Sequence, residues 1–335
     1  MTVLIIDWTG VGGTAEATRS WYAQGLAVGR QCTVLTTLGG VLVGSDVIGL
    51  ERGPSLTGYS HQVDLVQLAV EYIRRHSPKV VVVQGYVMPH EEQRVANAAH
   101  EAGSRLVQVV YLPRPFFFSK RSSIGLRKLL RSADILVAHA DHVADRLKPR
   151  AGQRLVRAPF PPFEMSTGKL GSPPEEPPVP EPKDSQLVVD PDAVHRSDLS
   201  GLVEAFRSDG RWHLEVADPP SEDVALALQR DWLGVVGESR AALIPSGSPW
   251  GNIMTSVALG LGVVPVVRDV GAQAEQIGHG AAGILVPEGA GPRDWVKACE
   301  PLTDDDTVER LVAAGFELTE QQAAAFAAGA QDVLG

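Results

Sequence analysis

The chain of 335 residues is long enough for two domains of ordinary size, and its 44% hydrophobic and 21% charged residues are typical of a globular protein with a large core. A formal net charge of -10 argues against nucleic-acid binding, because phosphate contacts need a basic surface. Cys32 and Cys299 are too few for a disulfide framework or a zinc site. The opening "MTVLIIDW" lacks the basic start of a signal peptide, and no apolar run is long enough to span a bilayer. We therefore expect a cytoplasmic protein.

The first half of the chain alternates apolar strands with amphipathic helices. Continuous apolar runs, as buried parallel strands require, occupy 2–7, 31–37, 79–86 and 105–113. Helical patterns occupy 8–29, 62–76 and 91–103, and 125–147 has the pattern helix, strand, helix. A β-α-β-α series of this kind predicts a parallel, doubly wound sheet.

A proline-rich, acidic segment, "STGKLGSPPEEPPVPEPKDS" at 166–185, interrupts this alternation and has the composition of a linker. After it, strands are predicted at 186–190, 212–218, 240–246, 263–269 and 282–287, and helices at 198–208, 221–234 and 307–334. We therefore predict an N-terminal domain over 1–165, a C-terminal domain over 186–318, and a helix at 319–335 that packs back on the N-terminal domain. A pair of doubly wound, Rossmann-like domains would hold its ligands in the cleft between them, at the carboxyl ends of the strands.

The glycine-rich turn "GVGG" at 10–13 precedes the first helix, where backbone amides attract anions. Ala15 takes the third glycine position of a dinucleotide-binding G-x-G-x-x-G pattern. Thr36 and Thr37 end the second strand, where such a site has an acidic residue. The turn is therefore either an anion cradle or a plain tight turn, and a nicotinamide cofactor is not expected.

Four segments resemble the GT-B glycosyltransferases, specifically glycosyltransferase family 4. "GVGGTAEATRSWYAQGLAVGRQCTVLT" is similar to the opening of that family, "LLRSADILVAHADHVADRL" to a later strand and helix, and "DLSGLVEAF" to the helix after its "K-G" motif. The most specific likeness is "ALIPSGSPWGNIMTSVALGLGVVPVVRDVGAQAEQIGHGAAGILVP" at 242–287, which resembles the donor-site block of the family.

The resemblance implies a GT-B fold and a retaining hexosyltransferase that moves a sugar from a nucleotide-sugar to an acceptor. No cofactor or metal is expected, because helix N-termini and basic side chains would meet the diphosphate charge. The implied donor-binding residues are Arg196, Ser246, Ser248, Gly251, Asn252, Thr255, Ser256 and Glu275. The implied acceptor-side residues are Gly12, Gly13 and Gly85; His90 is a weak catalytic candidate, since a lone loop histidine is more often solvated.

The charged residues of the family pattern are largely missing. Ser248 stands where the family has its first glutamate, and Ser256, or Thr255 in a shifted alignment, stands at the second. Arg196 lies about where a lysine is expected, and Tyr111, Leu112 and Pro113 occupy a position where the family often has histidine. Three interpretations remain open: a divergent active transferase, an inactive binding or partner subunit of a glycosyltransferase complex, and a nucleotide-sugar epimerase.

A basic, aromatic segment, "RPFFFSKRSSIGLRKLLR" at 114–131, reverses the acidic balance of the chain. It has no acidic residue and contains Arg114, Phe116, Phe117, Phe118, Lys120, Arg121, Arg127, Lys128 and Arg131. Such a segment suits an anionic membrane surface, here the inner face of a membrane, and with it a lipid-linked acceptor. A core location for the phenylalanines, or a groove for an anionic glycan or small-molecule acceptor, would explain it as well.

Overall fold

The chain forms two compact units, each built on one parallel β-sheet. A computed structural model describes residues 1–8, 12–38, 42, 44–51, 59–111, 120–161, 183–189, 196–216, 234–246 and 251–335. Of these, unit 1 comprises the residues up to Pro161 together with Ala324–Gly335, and unit 2 comprises those from Lys183 to Ala323.

The sheet of unit 1 has seven strands. They are β1 (Thr2–Asp7), β2 (Gln31–Leu38), β3 (Val47–Glu51), β4 (Val80–Gln84), β5 (Arg105–Val110), β6 (Ile135–Ala138) and β7 (Arg154–Arg157). Neighbouring strands are parallel and follow the order β3-β2-β1-β4-β5-β6-β7. Strands β2 and β3 lie on one side of β1 and strands β4 to β7 on the other, so the strand order reverses between β1 and β4, as in doubly wound nucleotide-binding sheets.

The helices of unit 1 are α1 (Gly12–Ala27), α2 (Tyr59–His76), α3 (Pro89–Glu101), α4 (Lys120–Ser132) and the short α5 (Asp141–Ala144). The C-terminal part of the long helix α10 (Asp305–Leu334) belongs to this unit too. The ring of Trp21 in α1 meets that of Phe326 edge-on, with centroids 5.6 Å apart, and both are buried in the same core cluster. Apolar burial of this kind is the main force that holds the C-terminus in place.

Arginines from unit 1 hold the last carbonyl groups of α10. Arg105 Nη2 donates to Val333 O at 2.6 Å, and Arg30 Nε donates to Leu334 O at 3.2 Å. Arg154 pairs with Asp332. Cations at a helix C-terminus satisfy carbonyls without an intrahelical partner and oppose the negative end of the helix dipole.

The sheet of unit 2 has five strands, namely β8 (Lys183–Val189), β9 (His213–Val216), β10 (Ser239–Ile244), β11 (Val264–Arg268) and β12 (Ile284–Val286). Their parallel order is β12-β11-β10-β8-β9, again a doubly wound arrangement. The helices are α6 (Arg196–Asp209), α7 (Ile253–Gly260), α8 (Ala272–Gln276), α9 (Pro292–Ala298) and the first part of α10. Two core clusters, one with Phe206 and Trp295 and one with Met254 and Ile277, line the sheet.

Several element boundaries differ from the sequence-based prediction. Strands β3 and β7 were not predicted, because both are short edge strands without a long apolar run. Strand β8 begins at Lys183, so the last three residues of the predicted linker 166–185 are strand, and the rest of that segment lies outside the described residues. The helix predicted at 221–234 lies almost wholly outside them as well. None of the described helices combines the length and hydropathy needed to cross a bilayer.

Candidate functional site

The donor-loop region of unit 2 lies where β10 and β11 end. Ser246 follows β10, and Asn252 is the N-cap of α7, which returns toward β11. Gly251 has φ 86°, a left-handed conformation that favours glycine, so this position is constrained by the backbone. Ser248 lies outside the described residues.

Two hydrogen bonds, here called the amide clasp, join the main chain of Asn252 to the side-chain amide of Gln276. Asn252 N donates to Gln276 Oε1 at 2.8 Å, and Gln276 Nε2 donates to Asn252 O at 3.1 Å. The Asn252 side chain in turn accepts from Met254 N at 2.8 Å and caps α7. The entry to α7 is therefore fixed by neutral amides and not by charged groups.

Arg268 is a cation at this edge, within the described residues, that was not among the predicted donor-binding residues. It closes β11, is partly exposed, and donates through Nε and Nη2 to Pro245 O at 3.4 and 3.3 Å. Its guanidinium carbon lies 5.6 Å from the ring centroid of Trp295, which orients it. Beside it, Gln273 Nε2 donates to Ser246 O at 3.0 Å. The sequence feature that could have identified Arg268 is a basic residue at the end of an apolar strand.

The hydroxyl groups predicted to replace the family's glutamate are enclosed. Thr255 is fully buried and Ser256 is 3% exposed, and Thr255 Oγ1 has no hydrogen-bond partner within the described part of the chain. Glu275, in the short helix α8, is half-buried. The backbone of Arg196 begins α6, but its side chain lies outside what the structure describes.

The carboxyl edge of the unit 1 sheet concentrates buried polar side chains. Asp7 ends β1 and pairs in register with Gln84, which ends β4. Gln108 lies on the neighbouring β5, and His139 directly follows β6. All four are buried. Asp7, Gln84 and Gln108 are not among the predicted site residues, although each is a polar residue within or at the end of an apolar strand.

Hydrogen bonds and ring contacts join this cluster. Tyr111 donates from Oη to Gln84 Oε1 at 2.5 Å, and burial raises the pKa of its phenol far above the usual range. Gln108 Nε2 donates to Gly85 O at 2.6 Å. The His139 ring lies 4.1 Å from that of Phe160 by centroids, and its Nδ1 is 3.2 Å from Val110 O.

Some polar atoms of the cluster, and of Thr36 on the neighbouring β2, retain hydrogen-bonding capacity. Within the described residues, the buried atoms Gln84 Nε2, Gln108 Oε1 and Thr36 Oγ1 have no partner. Because a buried polar group without a partner costs free energy, such atoms at a strand edge indicate a place where a ligand would supply the missing bonds.

The acceptor-side glycines and His90 occupy the same end of unit 1. Gly12 and Gly13 begin α1, and Gly85, with φ 63°, follows β4. His90 lies in the first turn of α3, 21% exposed, with Nε2 3.6 Å from Glu91 Oε1. Its backbone faces Gly125 of α4, where a Cβ would come within 3.0 Å of His90 N. His90 therefore has a packing role between α3 and α4, whatever its chemistry.

Comparison with solved structures decides the fold. HepE of Anabaena, in complex with UDP-glucose, is 14% identical, with 100% of this chain and 99% of that one covered and a TM-score of 0.68. Sucrose-phosphate synthase of Thermosynechococcus elongatus is 14% identical, with 99% and 98% covered and a TM-score of 0.67. The chain has the GT-B fold. The predicted fold class is thereby confirmed.

The GT-B neighbours differ in the reactions their names state. A putative UDP-N-acetylglucosamine 2-epimerase from Listeria monocytogenes is 16% identical, with 96% of this chain and 94% of that one covered and a TM-score of 0.60. No protein-family model matches the sequence, and a search of curated proteins finds no match. At these identities the likeness defines the fold of the chain and not its substrate.

The basic segment of this GT-B chain is described in part. Arg114, Phe116, Phe117 and Phe118 lie outside the described residues, as do the side chains of Lys120 and Arg121. Arg127, Lys128 and Arg131 are exposed on α4, and none of the ion pairs found in the described ranges involves them.

Proposed function

We propose that this GT-B protein is a glycosyltransferase that takes a sugar from a nucleotide-sugar bound by unit 2 and passes it to an acceptor bound by unit 1. The observation that supports the proposal best is the amide clasp between Asn252 and Gln276. It fixes the start of α7 at the carboxyl edge of a doubly wound sheet, the place where this class of fold binds nucleotides.

Arg268 and the backbone at Gly251 would meet the donor diphosphate, since Asn252 N already donates to Gln276 Oε1. Arginine presents a planar fork that matches phosphate oxygens, and helix N-termini attract anions. Ser246 and Glu275 are the half-buried polar candidates for the sugar and ribose. Thr255 and Ser256 would have to be uncovered before they contacted a donor, because both are buried.

On the acceptor side, Gln84 and Gln108 would bind hydroxyl groups of the acceptor once they were uncovered, because both are buried as well. Their open donor and acceptor atoms are of the type that carbohydrate hydroxyls complement. The proposed transfer proceeds with retention, without an enzyme nucleophile and without a metal, so the protein acts by positioning the two reactants and stabilising charge.

Calorimetry with UDP, GDP and their sugar conjugates tests the proposal. We expect one nucleotide to bind and its sugar conjugate to be consumed, with release of the nucleoside diphosphate, when glycan acceptors are supplied. Failure of every nucleotide to bind would contradict it.

A second candidate function is an inactive, transferase-like subunit that binds a partner transferase. The burial of Thr255 and Ser256, at the position of a ribose-binding glutamate in the resemblance, favours it. Nucleotide binding without turnover of any nucleotide-sugar would select this alternative.

The proposal includes a lipid-linked acceptor and a peripheral location on a membrane. The exposed cations of α4 support it, since each basic residue near an anionic surface contributes about 1 kcal/mol. Flotation with anionic vesicles compares the wild type with Arg127→Glu/Lys128→Glu. Unchanged flotation of this variant would count against a membrane role for α4.

A further inference from the structure

A cavity of about 350 Å³ opens on the α4 side of unit 1. Its walls come from α4, from β6 and from the chain after α5. The lining residues are Ser123, Leu126, Arg127, Leu130, Arg131, Leu136, Arg146, Leu147, Lys148 and Gln153. The volume lies in the range of about 300–1,000 Å³ that small-molecule sites occupy.

Cations surround an apolar floor in this cavity. Leu126, Leu136 and Leu147 are 4%, 2% and 7% exposed, whereas the four basic residues of the lining are exposed. The lining contains four cations and no acidic side chain. In a chain of net charge -10, this is a strong local excess of positive charge.

The positive charge is not explained by the needs of the fold. Arg127 and Arg131 are four residues apart on α4, a spacing at which like charges destabilise a helix. Arg131 gains from its place near the helix C-terminus, but Arg127 does not. Across the described ranges, no ion pair involves Arg127, Arg131 or Lys148.

Two separate segments contribute the cations. Arg127 and Arg131 come from α4, while Arg146 and Lys148 come from the chain that follows α5. Gln153 Nε2 ties the two segments together, because it donates to Leu130 O and Ala133 O at 2.7 Å each. The residues thus face one another across a fixed cavity and do not form only a solvated helix face.

We infer that this cavity binds the phosphate group of a phosphate ester, with the leucines in contact with the carbon atoms next to the phosphate. Arginine forks and a lysine ammonium are the side chains that proteins use for phosphate, and leucines suit an adjoining hydrocarbon. The ester is either a membrane lipid with a phosphate headgroup or a soluble sugar or glycerol phosphate. The inference is independent of glycosyl transfer.

Calorimetry on the full chain tests it with two probes, glycerol phosphate and a short-chain phosphatidylglycerol below its micelle concentration. The cavity variant is Arg131→Gln/Lys148→Gln, and the matched control is Arg75→Gln/Arg150→Gln, which loses the same charge at exposed positions outside the cavity. We expect the cavity variant to bind at least about tenfold more weakly, as the loss of a charge-assisted hydrogen bond implies, and the control to bind like the wild type.

The two probes separate the sources. Tighter binding of the lipid, together with flotation on phosphatidylglycerol vesicles that the cavity variant loses, assigns a lipid headgroup. Equal binding of both probes assigns a soluble phosphate ester. Absence of binding to either probe overturns the inference, and so does an equal loss in the control, which would indicate a general effect of net charge. Melting curves of both variants show whether each remains folded.

Discussion

The carboxyl edges of the two sheets are built from similar residues but use them differently. In unit 2, the side-chain amides of Gln273 and Gln276 form hydrogen bonds with the main chain of Ser246 and Asn252, respectively. In unit 1, Gln84 and Gln108 keep buried polar atoms with no partner in the described chain. Both edges are thus held partly by their own side chains, but in the described chain Thr255 Oγ1 lacks a partner at the donor-loop edge, whereas Gln84 Nε2, Gln108 Oε1 and Thr36 Oγ1 lack one at the other edge.

This difference bears on which groups neutralise the negative charge of the donor diphosphate in the proposed reaction. Neutral amides can fix a loop but cannot neutralise a diphosphate, so the role falls to helix dipoles and to the few cations present. Four changes test the comparison, from the largest expected effect to the smallest.

Arg268→Ala should weaken nucleotide binding the most. Loss of a charge-assisted contact costs about 1.5–3 kcal/mol, which corresponds to roughly 10- to 150-fold in affinity. Calorimetry with the preferred nucleotide measures it. Arg293→Ala, which removes an exposed arginine of α9, is the control. Equal affinities of Arg268→Ala and the wild type would remove Arg268 from the donor site.

Gln276→Ala should weaken nucleotide binding about tenfold and lower the melting temperature, because the N–H and C=O of Asn252 both lose a partner. Gln322→Ala removes only the bond from Gln322 Nε2 to Gln276 O and leaves the clasp intact. If both variants lost affinity equally, local packing and not the clasp would explain the effect.

Gln84→Met should raise the KM for the acceptor roughly fivefold, as expected for about 1 kcal/mol of hydrogen bonding, and leave nucleotide affinity unchanged. Its stability should fall somewhat, because Tyr111 Oη loses its acceptor Gln84 Oε1, although the change also removes a buried donor without a partner. Gln108→Met, which loses its bond to Gly85 O, should destabilise the fold as well. A change in nucleotide affinity in Gln84→Met would contradict the division of roles.

Glu92→Gln should alter how stability depends on pH. Burial raises the pKa of Glu92 from 4.5 to about 8, although Val87 N and Met88 N donate to its Oε1. Between those values the folded state binds more protons than the unfolded state, so stability falls as pH rises. Glutamine keeps the acceptor without the charge. The melting temperature should therefore fall less between pH 6 and pH 9 for the variant than for the wild type. An equal fall in both proteins would contradict the raised pKa of Glu92.

The sequence predicted the fold well because a buried parallel strand needs a continuous apolar run, and runs such as "VVVV" in β4 and "AALI" in β10 are compatible with few other structures. The edge strand "RLVR" lacks that signal. The site was harder to predict. Helix α7, "IMTSVALG", is apolar on most sides, so its sequence does not reveal that Thr255 faces the interior. The clasp joins residues 24 positions apart, which spacing alone cannot predict.

Helix α10 gives the chain an unusual order of assembly. Unit 1 begins with Met1 but is completed by Ala324–Gly335, which supply Phe326 to Trp21 and carbonyl groups to Arg30 and Arg105. Domains that form from contiguous chain can fold while synthesis continues. Here unit 1 cannot complete its core until Ala324–Gly335, which follow unit 2 in the chain, have been made, and a fragment that stops at Pro161 would expose the surface around Trp21.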